Sequence, residues 1–391
     1  MMKKRICFIV QRYGREVNGG AELHCRMLAE HMRPYYREIH VLTSKAIDYQ
    51  TWKDAYDQDE EIIHGITVHR FSVSHPREQK GFDALSRKFF AKGLTNDEES
   101  EWIEKQGPAV PGLIRYLIRN KDHYDAFIFF TYLYYPTVLG VKEVREKAIV
   151  IPTAHDEPFI RKLKIFDQVF LTPRFFFFNT EAEKRLVQGI FHNEYIPAQT
   201  GGTGVEIPEE ICKERFKKKY GLENYMIYAG RIAESKNCQE LLRYFKTYKK
   251  RCKNDIQLVL IGKPMIPIPK DRDIICPGFV SEQDKYDGIA AAKLLVLPSR
   301  LESLSMVVLE AMSLSTPVIV NGACDVLREH CTKSNGAFYY YDYDEFEGEV
   351  NYILEHPETA AKMCQNAKSY VEENYRWDKI EKKLCSIIEQ I

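Results

Sequence analysis

LLVLPSRLESLSMVVLEAM, residues 294–312, decides how the chain is read. Four apolar residues followed by Pro298 form a buried strand, Arg300 to Ser303 form a turn, and LSMVVLEAM continues as a helix. Into this mostly apolar run the sequence places two acids, Glu302 and Glu310. Burying an unpaired carboxylate costs several kcal/mol, so both are expected to face a polar pocket. Glu302 falls at the strand-to-helix corner. Glu310 lies eight residues on, about 80° around a helix of roughly 100° per residue, so both can face one site. The N–H groups of Leu304 and Ser305, expected in the first helical turn, are then available to an anion.

The same rhythm extends outward in both directions. Downstream, TPVIVN is another strand. Upstream, NYMIYAGRI, NCQELLRYFKTYKK, IQLVLIG and EQDKYDGIAAAK alternate strand and helix. An earlier series begins with RICFIV, the glycine loop QRYGREVNGG and the helix AELHCRMLAEHM, in which Leu23, Met27 and Glu30/His31 have helical spacing. EIHVLTS, GITVHRF, DAFIFFT and AIVIPTAH follow as strands. Strands without polar alternation, separated by helices, indicate parallel sheets covered on both faces. The expected fold class is α/β, with two Rossmann-like doubly wound domains facing each other across a cleft.

YIPAQTGGTGVEIPEE, residues 195–210, is rich in Gly, Pro and Thr and places the boundary near residue 205. The expected domains are 1–205, 206–375 and a C-terminal helix, 376–391, packing back toward the first domain. The chain ends in two helices with a break near Tyr375 to Trp377, and residues 76–111 read as a partly helical excursion. The aromatic runs FFFF and FYYYDYD read as core strands rather than stacking surfaces.

Composition narrows the function. Lys+Arg and Asp+Glu both total 56 in 391 residues, so the chain has no bulk electrostatic footprint for nucleic acid. The ten cysteines are scattered without a C-x-x-C pair and read as reduced packing thiols of a cytoplasmic protein. The short apolar start reads as a core strand rather than a signal peptide or membrane span.

In YAGRIAESKN, residues 228–237, a strand ends at Gly230 and a loop presents Arg231 and Lys236 before a helix that Asn237 is expected to cap. Two cations at the carboxyl edge of a sheet suit a diphosphate. The plain alternative is a pair of surface charges in a turn. Glu302, seven residues and Glu310, together with GR....K, NGGAE and AHDEP, resemble the retaining nucleotide-sugar glycosyltransferases of GT-B-fold family 4, also called glycosyltransferase group 1. The likeness runs over nearly the whole chain and is densest from 226 to 322.

The resemblance implies roles position by position. Arg231 and Lys236 hold the donor diphosphate and stabilise the leaving nucleotide. Glu310 accepts hydrogen bonds from ribose hydroxyls, and Glu302 contacts the transferred sugar. SLS departs from the glycine-containing form of this turn, with backbone contacts from Leu304 and Ser305 expected there. Gly19 and Gly20 match the loop that lets backbone approach phosphate and acceptor. Phe279 and Val280, in GFVSEQDKY, meet the nucleobase or else pack in the core. Ser281 with Asp284 independently forms a capped helix start. His155, in IPTAHDEP, contacts sugar or acceptor or is an ordinary packed histidine, and the same alternatives hold for Asp156. Glu22 binds acceptor or favours its helix dipole.

The function so implied is transfer of a sugar from a nucleoside-diphosphate-sugar to an acceptor hydroxyl, a hexosyltransferase-type reaction, in bacterial surface polysaccharide or glycoconjugate synthesis. Front-face attack with retention follows from the resemblance. No metal and no cofactor are expected, and a UDP-sugar is favoured over a GDP-sugar as co-substrate. The partners are the donor and a glycan, glycolipid or other hydroxyl acceptor. SRKFFAKGL, residues 86–94, interleaves basic and apolar residues and suggests peripheral contact at the inner face of the membrane, or else a solvated helix. A non-catalytic nucleotide-sugar-binding or partner subunit is the rival reading. An NAD-dependent oxidoreductase would need G-x-G-x-x-G after the first strand, where this chain has YGREVNGGAE.

Overall fold

The computed structural model describes residues 4–17 and 19–391, which divide into two compact units: residues up to Thr203 with Trp377–Ile391, and Gly204–Arg376. The first unit holds an eight-stranded sheet: β1 Arg5–Ile9, β2 Glu38–Ser44, β3 Glu60–Ile63, β4 Ile66–Phe71, β5 Ala126–Phe130, β6 Ala148–Ile151, β7 Phe175–Phe178 and β8 Ala198–Thr200. Their order across the sheet is 3-4-2-1-5-6-7-8, and every pairing is parallel except β3 with β4. That exception is a tight hairpin through His64 and Gly65, both at positive φ, the backbone that two-residue turns require.

The apolar strands are buried on both faces, as uninterrupted runs require. Alternate residues feed different cores: Cys7, Ile9, Phe127, Phe129, Phe176 and Phe178 enter one, and Ile6, Phe8, Ile128, Phe130, Phe175 and Phe177 enter the other. Two helices of the 76–111 excursion, Gln79–Lys92 and Asn96–Gln106, contribute Phe89, Trp102 and Ile103 to the first core. The C-terminal helix Trp377–Glu389 contributes Ile380, Leu384, Ile387 and Ile388 to the second. The helix Gly20–Met32 buries Cys25, Leu28, Ala29 and Met32, whereas Leu23 and Met27 remain half-exposed. The helix expected from that spacing is present, and its buried face runs through Cys25, Leu28, Ala29 and Met32.

The second unit holds β9 Tyr225–Ala229, β10 Gln257–Ile261, β11 Ile274–Gly278, β12 Leu294–Leu297, β13 Val318–Asn321 and β14 Phe338–Tyr340. All pair in parallel, in the order 11-10-9-12-13-14. The chain winds outward from β9 to β11, returns to the other side of β9, and winds outward again. Ligands of such sheets bind at the carboxyl ends of the strands where the winding reverses, here β9 and β12.

Candidate functional site

The two loops leaving β9 and β12 carry Arg231, Lys236 and Glu302, three of the charged residues singled out in the second half of the chain. Beyond β9 the backbone passes through Gly230, where it closely approaches the next strand's exit: a Cβ on Gly262 would lie 1.8 Å from the Gly230 carbonyl oxygen, so only glycine fits. Arg231 is exposed, and its carbonyl accepts a hydrogen bond from Tyr228 Oη at 2.8 Å. A single 3-10 turn, Glu234–Lys236, then brings Lys236 Nζ to 2.7 Å from Glu302 Oε1, on the loop after β12. The pair is largely sheltered, with side-chain exposures of 25% and 15%.

Asn237 does not cap the following helix. It adopts a left-handed backbone, φ 57°, and its side-chain amide donates to Pro298 O at 3.1 Å and Glu240 Oε1 at 2.6 Å. Tying the two loops together has taken the side chain that a cap would use.

The turn after β12 also differs from the expected one. The helix begins at Met306, so Leu304 and Ser305 precede it rather than forming its first turn. Ser305 sits at φ 66°, ψ 74°, the left-handed region that glycine occupies freely and other residues enter at about 1–2 kcal/mol. Its Oγ is buried and has no partner among the described residues. Among the described residues none accepts a hydrogen bond from the N–H groups of Leu304, Ser305 or Met306. The Leu304 carbonyl, in contrast, is held by His330 Nε2 at 2.7 Å.

Glu310 is buried in the helix Met306–Ser313. Its Oε1 accepts from Lys285 Nζ at 3.0 Å and Tyr286 Oη at 3.1 Å, both on the helix Glu282–Ala291. Burial is the largest influence on Lys285 and disfavours its charged ammonium, but Glu310, Tyr286 and Glu282 together outweigh it and hold the proton on. Burial, and then Glu310, push the Tyr286 phenol up. These partners were missed in the sequence, where nothing marks Lys285 apart from other lysines. Phe279, 67% exposed, is not a core residue, and Val280 is half-buried. Ser281 does cap its helix, accepting from Asp284 N at 3.1 Å.

In the first unit, Gly19 precedes the helix Gly20–Met32 with extended backbone, and Gly20 is exposed. Asn18 of the NGGAE motif lies outside the described residues. Glu22 is buried, clamped by Arg12 Nη2 at 2.6 Å and Arg12 Nε at 2.9 Å and reached by Gln11 Nε2 at 2.9 Å. Its charge is thereby spent on the glycine loop's own framework. His155 is half-buried, with Nδ1 3.2 Å from Thr153 O. Asp156 is bound by Arg161 through two hydrogen bonds of 2.5 and 2.9 Å, which hold its carboxyl below the usual range.

Next to His155 lies a residue the sequence did not reveal. Glu183, fully buried, accepts from Ala154 N at 2.5 Å and Asn179 N at 2.6 Å, joining the loops after β6 and β7. Burial pushes its carboxyl up to about 8 against the pull of those N–H groups.

Among the described residues, no group of three or more His, Cys, Asp or Glu side chains is placed to hold a metal ion, and no helix is long and apolar enough to cross a membrane. In SRKFFAKGL, Phe89 is core, Lys88 pairs with Glu98, and Phe90 stands 60% exposed.

Residues 212–370 match the family described as glycosyl transferases group 1. Over 196 residues the chain is 26% identical to the alpha-D-kanosaminyltransferase of Streptomyces kanamyceticus, covering 46% of this chain and 50% of that protein. The chain thus spans about half the length of the curated relatives it matches. Among solved structures it is similar to HepE of Anabaena in complex with UDP and glucose, with a TM-score of 0.72, 15% identity and coverage of 99% and 100%. It is also similar to sucrose-phosphate synthase from Thermosynechococcus elongatus, with a TM-score of 0.71, 14% identity and coverage of 99% of each chain. Two Rossmann-like units that match these structures give the chain the GT-B fold, and the stretch similar to glycosyl transferases group 1 falls within its second unit.

Proposed function

We propose that the protein transfers a sugar from a nucleoside-diphosphate-sugar, with UDP as the favoured base carrier, to an acceptor hydroxyl, with retention and without a metal, as a family 4 enzyme. The observation that carries this reading is the turn after β12, where Lys236 and Glu302 meet beside the N–H groups of Leu304, Ser305 and Met306, which find no acceptor among the described residues. Buried N–H groups are almost always paired, so this cluster suits an anion. That HepE is a complex with UDP and glucose supports the choice of base.

Under this reading Arg231 and Lys236 bind the diphosphate. As the bond from the anomeric carbon to the phosphate oxygen breaks, its electron pair passes to that oxygen, and the two cations stabilise the added charge. The acceptor oxygen bonds to the same face of the anomeric carbon, and its proton goes to the departing phosphate. Glu302 hydrogen-bonds the sugar. Glu310, whose Oε1 is taken by Lys285 and Tyr286, offers its other oxygen to the ribose hydroxyls. The first unit, with His155 and the Gly19–Gly20 loop, is assigned the acceptor side.

The acceptor is a glycan, glycolipid or other hydroxyl compound, and the setting is bacterial polysaccharide or glycoconjugate synthesis in the cytoplasm at the inner face of the membrane. Exposed Phe90 and the lysines Lys92, Lys162 and Lys164, which line one surface cavity and make no ion pair among the described residues, support contact with anionic lipid. Absence of flotation with anionic vesicles would remove the membrane contact.

A thermal-shift series of UDP-, GDP-, ADP- and dTDP-sugars on wild type, Glu310→Ala and Arg231→Ala tests the donor site. A ligand at 100 times its Kd adds about 2.7 kcal/mol of apparent stability. One nucleotide class is expected to stabilise wild type, with the shift lost in both variants. No shift with any of them sinks the reading; a shift without turnover on any acceptor leaves a non-catalytic nucleotide-sugar-binding subunit.

A further inference from the structure

His330 is fully buried on the helix Asp325–Ser334, far in sequence from every residue assigned to the donor. Its two ring nitrogens are both engaged. Nε2 lies 2.7 Å from Leu304 O, and Nδ1 lies 3.0 Å from Tyr370 Oη, which is itself 3.3 Å from Tyr375 Oη. A carbonyl oxygen only accepts, so the hydrogen is on Nε2; Nδ1 then accepts from Tyr370, and Tyr370 from Tyr375. Burial lowers the pKa of the ring and keeps it neutral, which this one-donor, one-acceptor arrangement needs.

The contact falls on the turn that follows β12. A peptide bond is planar and trans, so the carbonyl of Leu304 and the N–H of Ser305 point in opposite directions. Fixing the carbonyl toward His330 therefore fixes the Ser305 N–H away from it. That residue carries the left-handed φ of 66°, a conformation that persists in a serine only when its surroundings impose it. Among the described residues nothing else hydrogen-bonds the Leu304–Ser305 peptide unit, so His330 is the restraint that selects its orientation.

We propose that His330 is a positioning residue of the donor site: by holding the Leu304 carbonyl it turns the Ser305 N–H outward, where it binds the donor diphosphate. The proposal rests on the donor-site reading given above. It explains how a turn lacking glycine still presents a backbone donor, and it assigns the Tyr370–Tyr375 pair the task of holding the imidazole in the required tautomer. A rotated peptide would instead aim a carbonyl oxygen at the phosphate and repel it.

Two side-chain amides separate this role from mere packing. In His330→Gln the amide nitrogen reaches the Nε2 position and can still hold Leu304. In His330→Asn it reaches only the Nδ1 position, keeping a group near Tyr370 but leaving the Leu304 carbonyl unpaired. UDP titration calorimetry is run on wild type, both variants and Arg231→Ala, with urea unfolding and hydrogen exchange of the 298–312 segment alongside. The expected result is a Kd for UDP raised about tenfold or more in His330→Asn, the range of a lost hydrogen bond to a charged group, with faster exchange confined to 298–312. His330→Gln should stay within about threefold of wild type, since its hydrogen bond persists. Equal UDP affinity in the Asn and Gln variants, with Arg231→Ala weakened, overturns the role of His330 and leaves the donor site standing. Wild type that binds no UDP, GDP, ADP or dTDP overturns both. Should His330→Asn fail to fold, His330→Gln and Tyr370→Phe decide: Gln must retain affinity, and Phe, which frees the tautomer, must lose part of it.

Discussion

Gly19 and Gly20 are adjacent and alike in sequence, yet a methyl group would meet different surroundings at each. A Cβ at Gly19 would lie 2.1 Å from Glu22 Oε2 and 3.1 Å from Arg12 Nη2, whereas one at Gly20 meets nothing within 4 Å. Gly19→Ala must push the Glu22 carboxylate off Arg12, and breaking a buried ion pair costs about 3–5 kcal/mol at most, so a loss of roughly 2–4 kcal/mol is expected in urea unfolding. Gly20→Ala, at the first helical position, should leave stability unchanged or raise it by up to about 1 kcal/mol. Loss of turnover in that variant would therefore report the close approach of a ligand, as the proposed loop role requires. The glycine loop was legible in NGGAE. The clamp on Glu22 was not, because a helix-start acid looks the same whether it faces solvent or an arginine ten residues earlier.

Pairs of elements meet through single buried acids, and their removal has calculable consequences. The helices Glu282–Ala291 and Met306–Ser313 meet at Lys285 and Glu310, with side-chain exposures of 18% and 7%. Lys285→Met leaves that carboxylate with Tyr286 as its one partner among the described residues, and a loss of about 2–4 kcal/mol is expected. Adding Glu310→Gln should recover most of it, a coupling that a double-mutant cycle measures.

Glu183 joins the loops after β6 and β7, and its carboxyl is raised from an ordinary 4.5 to about 8 by burial. The folded protein therefore holds a proton there that the unfolded chain releases above its own pKa, so the contribution of Glu183 to stability is fully present below about 4.5 and is lost as pH rises to 8. This decline has a limiting slope of about 1.4 kcal/mol per pH unit, and Glu183→Gln should flatten it in urea titrations between pH 5 and 8. Strand and helix types were legible here from apolar runs and periodicity. The bridge was not, because Ala154 and Glu183 are brought together by strand order.

At the scale of the whole molecule, the chain leaves its first unit after Thr203 and returns to it at Trp377. Trp377 stacks on His31 with centroids 3.6 Å apart, and Glu381 accepts from Tyr35 Oη at 2.6 Å and lies 2.9 Å from His31 Nδ1. Ile380, Leu384, Ile387 and Ile388 are fully buried in the sheet's second core. At about 1.5–3 kcal/mol per buried aliphatic side chain, their removal approaches the whole stability of a domain. Truncation after Arg376 is expected to leave the first unit open to limited proteolysis while the second unit stays resistant.

What the sequence by itself determined is the α/β class, the restart of the strand-and-helix rhythm, and the strand-turn-helix that carries Glu302 and Glu310. Those signals are local: a short apolar run rich in β-branched and aromatic residues and bounded by turn residues marks a strand covered on both faces, and helical spacing is written within a dozen residues. The tertiary structure alone decided which partner each buried polar group takes: Lys285 for Glu310, Ala154 and Asn179 for Glu183, Leu304 for His330. It also decided the sign of φ at Ser305. A buried donor or acceptor must be satisfied by whatever the packed elements bring within 3 Å of it, and that set is fixed by strand order and helix phase, not by neighbours along the chain.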